Sequence, residues 1–177
     1  MARLHLLRET DLHNCYWGIS TSLWFNGCPH KCLGCWNRET WDIDESLEIP
    51  NNEVIERTLK ALDDPFPKDL TLLGGDPLMP NANLDDVVEI VSAIKKARPH
   101  TRVLCWTGFR IEPLIKTKKF RAALELIDVL IDGRYEQSLH VTGKKYGSSN
   151  QRIIDVKETL KIGKVVIAPE NYERNKQ

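Results

Sequence analysis

Apolar and polar positions along the chain alternate between two rhythms, short apolar runs and longer stretches with an apolar residue every three or four positions. The run "ISTSLWF", residues 19–25, predicts a strand that ends at Asn26-Gly27. Residues 52–63 predict a helix with Ile55, Leu59 and Leu62 on one face. "DLTLL", residues 69–73, predicts a second strand closed by Gly74-Gly75. Residues 84–97 predict the most regular helix, with Leu84, Val87, Val88, Val91 and Ile94 at helical spacing. Asn83 is placed to cap it, and Asp85 and Asp86 suit the positive end of its dipole. Lys95, Lys96 and Arg98 suit the other end, before Pro99 stops the helix. "RVLCW", residues 102–106, predicts a third strand ending at Thr107-Gly108. Residues 120–126 predict a helix, and "IDVLI", residues 127–131, a fourth strand ending at Asp132-Gly133. A late strand is predicted over 164–168, after a polar loop around "YGSSNQR".

Strand–helix–strand alternation implies an α/β fold with a mostly parallel sheet and helices outside it. Ligands of such sheets sit at the C-terminal ends of the strands, where the loops converge. Asn26-Gly27, Gly74-Gly75-Asp76, Thr107-Gly108 and Asp132-Gly133-Arg134 all fall at that edge. A closed eight-stranded barrel needs about 250 residues. With 177 residues, the expectation is a partial (β/α) barrel with mostly parallel strands, a single domain over 1–177 with its core in 17–168.

Composition narrows the function classes. Hydrophobic residues are 41% and charged residues 28%, ordinary for a globular protein. Twenty-five basic residues balance twenty-five acidic ones, which argues against a protein whose main task is coating nucleic acid. No run approaches the roughly 18 apolar residues of a membrane span. The N-terminus "MARLHLLRETD" lacks the apolar core and cleavage site of a signal peptide, so the expected location is cytoplasmic. Thiols stay reduced there, and clustered cysteines serve metals or chemistry more often than disulfides.

That expectation bears on "NGCPHKCLGCWNRETW", residues 26–41, which holds Cys28, Cys32 and Cys35. Three readings compete for them. Structural zinc needs a fourth ligand, for which His30 is the nearest candidate, but no second cysteine pair follows. A redox pair at Cys32 and Cys35 leaves Cys28 without a role. An iron–sulfur cubane held by three thiolates leaves one iron open for a further ligand. Of the other cysteines, Cys105 reads as core within its strand and Cys15 as an exposed thiol.

C-x-x-x-C-x-x-C after a first strand resembles the signature of the radical S-adenosylmethionine superfamily. "GGDPL", Gly74 to Leu78, is similar to its Gly-Gly-Glu-Pro motif, with Asp76 in place of Glu. "CLGCWNRETW", "LLGGDPLMP", "CWTGF", "VLIDGRYEQSL" and "GSSNQRIID" resemble, in order, segments of the activating proteins of anaerobic ribonucleoside-triphosphate reductases. The resemblance implies a [4Fe-4S] cluster on Cys28, Cys32 and Cys35 whose open iron chelates S-adenosylmethionine. One electron then yields a 5′-deoxyadenosyl radical, which takes a hydrogen from a glycine of the large reductase subunit. It implies a low-potential donor such as a flavodoxin. It also implies that Gly74 and Gly75 let the backbone approach the methionine end, and that Asp76 suits the ammonium. Gly34 would leave room beside the cluster, and Trp36 would offer a face to the adenine. Asp132 and Arg134 resemble a ligand-contacting Asp-x-Lys pair, and "GSSNQR" would cap the open side near the partner. The Gly-Pro-Gly-x-Arg segment of related activating enzymes is absent; "YWGIS", Tyr16 to Ser20, stands there and keeps only Gly18. A radical enzyme acting on another glycyl-radical protein or on a small molecule stays open, as does a non-enzymatic zinc-binding protein.

Overall fold

A computed structural model describes residues 1–66 and 68–170. Its framework is one seven-stranded sheet. The strands are β1 (Ala2–Asp11), β2 (Ser20–Phe25), β3 (Glu48–Ile49), β4 (Asp69–Gly74), β5 (Val103–Thr107), β6 (Val129–Asp132) and β7 (Arg152–Asp155), in spatial order β3-β1-β2-β4-β5-β6-β7. The four central strands β2, β4, β5 and β6 run parallel, while β1, β3 and β7 pair antiparallel at the flanks. The sheet is open, with β3 and β7 at its edges. Of the expected partial (β/α) barrel, the observed pairing gives an α/β sheet that is mostly parallel in its middle and open at its edges, with no barrel closure in the pairing. No helix among the described residues is long and apolar enough to cross a membrane.

The four strands predicted from apolar runs are β2, β4, β5 and β6, each displaced by no more than two residues. Their central positions are buried on both faces, which favours apolar residues there, with Thr21, Ser22 and Thr71 as buried polar exceptions. The predicted helices are α1 (Asn51–Leu62), α2 (Leu84–Ala97) and α4 (Lys118–Leu124); α3 (Ile111–Ile115) and α5 (Val156–Ile162) are additional. Leu84, Val87, Ile90, Val91 and Ile94 of α2 are fully buried. At about 2 kcal/mol each, they contribute on the order of 10 kcal/mol of gross burial energy. Asn83 does not cap α2: it lies in helical conformation and makes no side-chain capping bond. Its Nδ2 instead donates to Asp76 O at 2.9 Å, tying the helix start to the end of β4.

Three elements depart from expectation. β1 escapes the apolar pattern because it lies near the edge, and only Ala2, Leu4 and Asp11 are buried along its ten residues. Residues 164–168 form no full strand but cross beside β7 through a single bridge, Ile154 to Ile167. The antiparallel β7 occupies Arg152–Asp155, directly after the polar loop. Cys15 is buried rather than exposed; its thiol bonds to the carbonyls of Leu12 and Gly18.

The β6–β7 pair is joined by the long connection 133–151 and stapled by charge. Asp132 is fully buried and accepts from Arg152 Nε at 2.9 Å, Arg110 Nη1 at 3.2 Å and Ile111 N at 3.0 Å. Arg152 also forks onto Glu112 at 2.8 and 2.9 Å. Its hydrogen bonds hold the Glu112 carboxyl down at about 2, below the ordinary 4.5. Arg152→Met should cost about 3 kcal/mol in urea unfolding, since Asp132 would keep its buried charge with only Arg110 beside it. Glu112 adds a pH signature. Its folded value lies below its unfolded one, so its stabilisation is present above pH 4.5 and disappears as pH falls toward 2. Glu112→Gln should lower the urea midpoint at neutral pH and flatten its fall across that window, so that the two proteins converge near pH 2.

Candidate functional site

The cysteine loop starts where β2 ends. Its base is held by Gly27 N donating to Thr40 O at 2.8 Å and Cys28 N donating to Trp41 O at 2.9 Å. Two reversals then fold the loop on itself. Lys31 has φ of 45° and Gly34 φ of 76°, and each immediately precedes a cysteine. Cys35 N closes the second turn onto Cys32 O at 3.1 Å. Asn37 N donates to Cys35 Sγ at 3.4 Å, the type of contact that tunes a thiolate-bound cluster.

All three thiols line one cavity of about 450 Å³ at the C-terminal ends of β4 and β5. Gly74, Gly75, Trp106 and Thr107 form its sheet side, and Trp36, 86% exposed, stands at its mouth. The size falls within the range of small-molecule sites. The indole N–H groups of Trp41 and Trp106, both cavity residues, are buried without a partner among the described residues. Three cysteines on one cavity suit a metal-containing occupant. Burial pushes the Cys28 thiol up to about 11, with Asp76 and Cys32 adding to the effect against the backbone N–H groups of His30 and Lys31. A metal that binds there has to displace the proton.

The glycine pair has a structural reason of its own. A Cβ on Gly74, at φ of 103°, would meet Phe25 O at 2.6 Å, and one on Gly75 would meet Gly27 O at 2.3 Å. The end of β4 thus lies directly against the base of the cysteine loop, with no space for a side chain. Asn37 Nδ2 donates to Gly74 O at 3.1 Å across the same junction.

Other expected residues stand differently. A Cβ on Gly34 would meet the Gln137 side chain at 2.9 Å, so this glycine serves a tight turn against the 133–151 connection. Asp132 and Arg134 do not line the cavity, although Gly133 between them does. Arg134 Nη2 instead donates to His30 O at 2.7 Å. Asp76 is 1% exposed and accepts from Leu78 N at 2.9 Å, Thr107 Oγ1 at 2.9 Å, Gly108 N at 3.0 Å and His30 Nε2 at 2.7 Å. His30, the candidate fourth ligand of a zinc reading, is thereby engaged elsewhere. Among the described residues no three His, Cys, Asp or Glu side chains converge on a point that would hold a single ion. Gly147 and Gln151, from the "GSSNQR" segment expected to cap the open side, also line the cavity, as do Tyr135 and Asn37, which the sequence reading did not single out; of these two only Asn37, two positions after Cys35, carried a local signal.

Residues 17–154 match the family described as "4Fe-4S single cluster domain". The chain is 37% identical over 136 residues to the anaerobic ribonucleoside-triphosphate reductase-activating protein of Enterobacteria phage T4, covering 77% of this chain and 83% of that one. It is 34% identical over 139 residues to the protein of that name from Vibrio cholerae, covering 77% and 87%. For Escherichia coli K12 the figures are 31% over 137 residues, covering 76% and 86%. The chain belongs to the anaerobic ribonucleoside-triphosphate reductase-activating protein family. The 4Fe-4S domain and the activating-protein relatives support an iron–sulfur cluster and S-adenosylmethionine as this chain's cofactors, and a cavity lined by three cysteines has the donor chemistry for such a cluster.

Gly75→Ala should force the Gly27 backbone away and cost about 2 kcal/mol or more of stability. Iron and sulfide bound after anaerobic reconstitution should fall with it, which elemental analysis beside thermal unfolding would measure.

Proposed function

We propose that this chain is a radical S-adenosylmethionine enzyme that installs a glycyl radical on the large subunit of an anaerobic ribonucleoside-triphosphate reductase. Cys28, Cys32 and Cys35 hold the [4Fe-4S] cluster, and the Gly74–Gly75 edge receives the methionine end of the cosubstrate. When bound, the cluster supplies one electron that cleaves the sulfonium C–S bond, giving methionine and a 5′-deoxyadenosyl radical that takes a hydrogen atom from a glycine Cα of the reductase. The protein's part is to position and to shield. Asn37 donates to the Cys35 sulfur, Trp41 and Trp106 wall the cavity, and Trp36 lies at the mouth, where it would meet adenine or the incoming glycine loop. Asp132 and Arg134 enter as supports of the walls, through the Arg152 staple and the His30 carbonyl.

The observation that carries this reading is the opening of all three cysteines onto one cavity backed by the glycine pair. The relatives' shared name supplies the reductase as the partner. The electron donor is a low-potential protein such as a flavodoxin, working with this enzyme in the reducing cytoplasm. In this reading the sheet and the 133–151 connection curve around the cofactors as a partial barrel.

Anaerobic reconstitution with iron and sulfide, followed by dithionite and S-adenosylmethionine, should release 5′-deoxyadenosine and methionine in equal amounts. Adding the reductase should then produce a glycyl-radical signal in electron paramagnetic resonance. Cys32→Ala should lower both products to background. A fully loaded wild-type cluster that leaves S-adenosylmethionine intact would refute the assignment.

A further inference from the structure

His30 lies between two cluster cysteines, and the structure holds it at both ends. Its ring is 11% exposed and donates from Nε2 to Asp76 Oδ2 at 2.7 Å. The ring packs edge-on against Phe109, with centroids 4.5 Å apart. Its carbonyl accepts from Arg134 at 2.7 Å. Gly108 supplies the ring's seat: a Cβ there would lie 2.3 Å from His30 Cδ2 and 2.6 Å from Nε2.

Asp76 is the other half of the arrangement. Oδ1 accepts from Leu78 N and Thr107 Oγ1. Oδ2 accepts from Thr107 Oγ1, Gly108 N and His30. The donors come from the turn after β4, the end of β5 and the cysteine loop. A carboxylate offers about four lone-pair sites, and four donors already occupy them, the one Thr107 hydroxyl proton being shared between the two oxygens. No acceptor capacity remains for a ligand's ammonium.

We propose that His30 is a positioning residue which, through Asp76, locks the cysteine loop onto the ends of β4 and β5, and that Asp76 acts as this clamp and not as a direct ligand of the cosubstrate. The inference deepens the proposed function and rests on it for the cosubstrate. Loop geometry matters here because three thiolates must meet a rigid cluster, and small misplacements of such a frame are expensive.

The test has two arms. In the first, reduced cluster-free protein is treated anaerobically with iodoacetamide, and each cysteine's alkylation rate is read by peptide mass spectrometry. His30→Ala should raise the rates of Cys28 and Cys32 about ten-fold, the equivalent of one lost charge-assisted hydrogen bond. Buried Cys105 should stay protected and so report an intact fold. Gly108→Ala should reproduce the effect with His30 still present, by occupying its seat. His30→Gln, which keeps an N–H donor near Nε2, should stay within about three-fold of wild type. If His30→Ala also exposes Cys105, the Gly108→Ala and His30→Gln pair decides. In the second arm, reconstituted and reduced protein is titrated with S-adenosylmethionine, and the change in the cluster's paramagnetic resonance gives an apparent Kd. His30→Ala and Gly108→Ala should weaken it about ten-fold.

Asp76→Asn separates the clamp from a ligand role. The clamp predicts faster thiol alkylation and weaker cosubstrate binding together. Weaker binding with thiols still protected would overturn the proposal, as would wild-type alkylation rates in Gly108→Ala. A wild-type cluster that does not respond to S-adenosylmethionine would sink the functional reading instead, while the thiol arm would still decide the clamp.

Discussion

The contact on which the site depends is the approach of the Gly75 backbone to Gly27, so close that a Cβ would lie 2.3 Å from the Gly27 carbonyl oxygen. Parallel pairing of β2 with β4 runs in register from Ser20–Asp69 to Phe25–Gly74 and delivers the two strand ends side by side. Only glycine permits the chain to continue from there, because any side chain would push the cysteine loop off the sheet. The loop's base, the floor of the cavity and the cysteine positions all follow from that one approach. The glycines therefore answer first to the protein's own backbone, and their openness to a ligand is a consequence.

Around this junction the chain uses polar groups as fasteners. Asp76 collects donors from three segments, and Asn83 and Asn37 bond across the junction from α2 and from the loop's far end. Buried polar groups are costly unless satisfied, and satisfied networks hold one geometry firmly. The same device appears at the far wall, where Arg152 and Arg110 neutralise Asp132. Between the two, the connection 133–151 is sewn down by Gln151, whose Oε1 accepts from Gly147 N at 3.0 Å and whose Nε2 donates to Gly133 O at 3.0 Å. Membership in the activating-protein family, with its 4Fe-4S domain, fits a site in which rigid polar walls surround three clustered thiols.

Legibility in the sequence followed the range of the physics involved. Apolar runs announced β2, β4, β5 and β6 because central parallel strands are buried on both faces. α2 was readable because one helix face must repeat every three to four residues to reach a core. β1 was not, since an antiparallel strand near the edge needs few apolar positions. Residues 164–168 looked like a strand because Val165, Val166 and Ile167 are β-branched, yet only one bridge to β7 forms there. Cys28, Cys32 and Cys35 were legible as chemistry because no core explanation accommodates three thiols beside Pro29, His30 and Lys31.

By itself the sequence determined the strand–helix alternation, the edge at which the loops gather, and the clustering of three thiols on one loop, because each depends on residues near one another in the chain. Only the tertiary structure decided what Asp76, Gly34, Asp132 and Arg134 do. Their partners, His30, Gln137, Arg152 and the His30 carbonyl, lie far along the chain, and Thr107 on β5 stands 31 residues from Asp76 with the whole of α2 between them. A carboxylate that looks available in a motif becomes fully engaged once folding brings several donors within 3 Å of it. Hydrogen-bond saturation is a property of the assembled space around a group, and no local spacing encodes it.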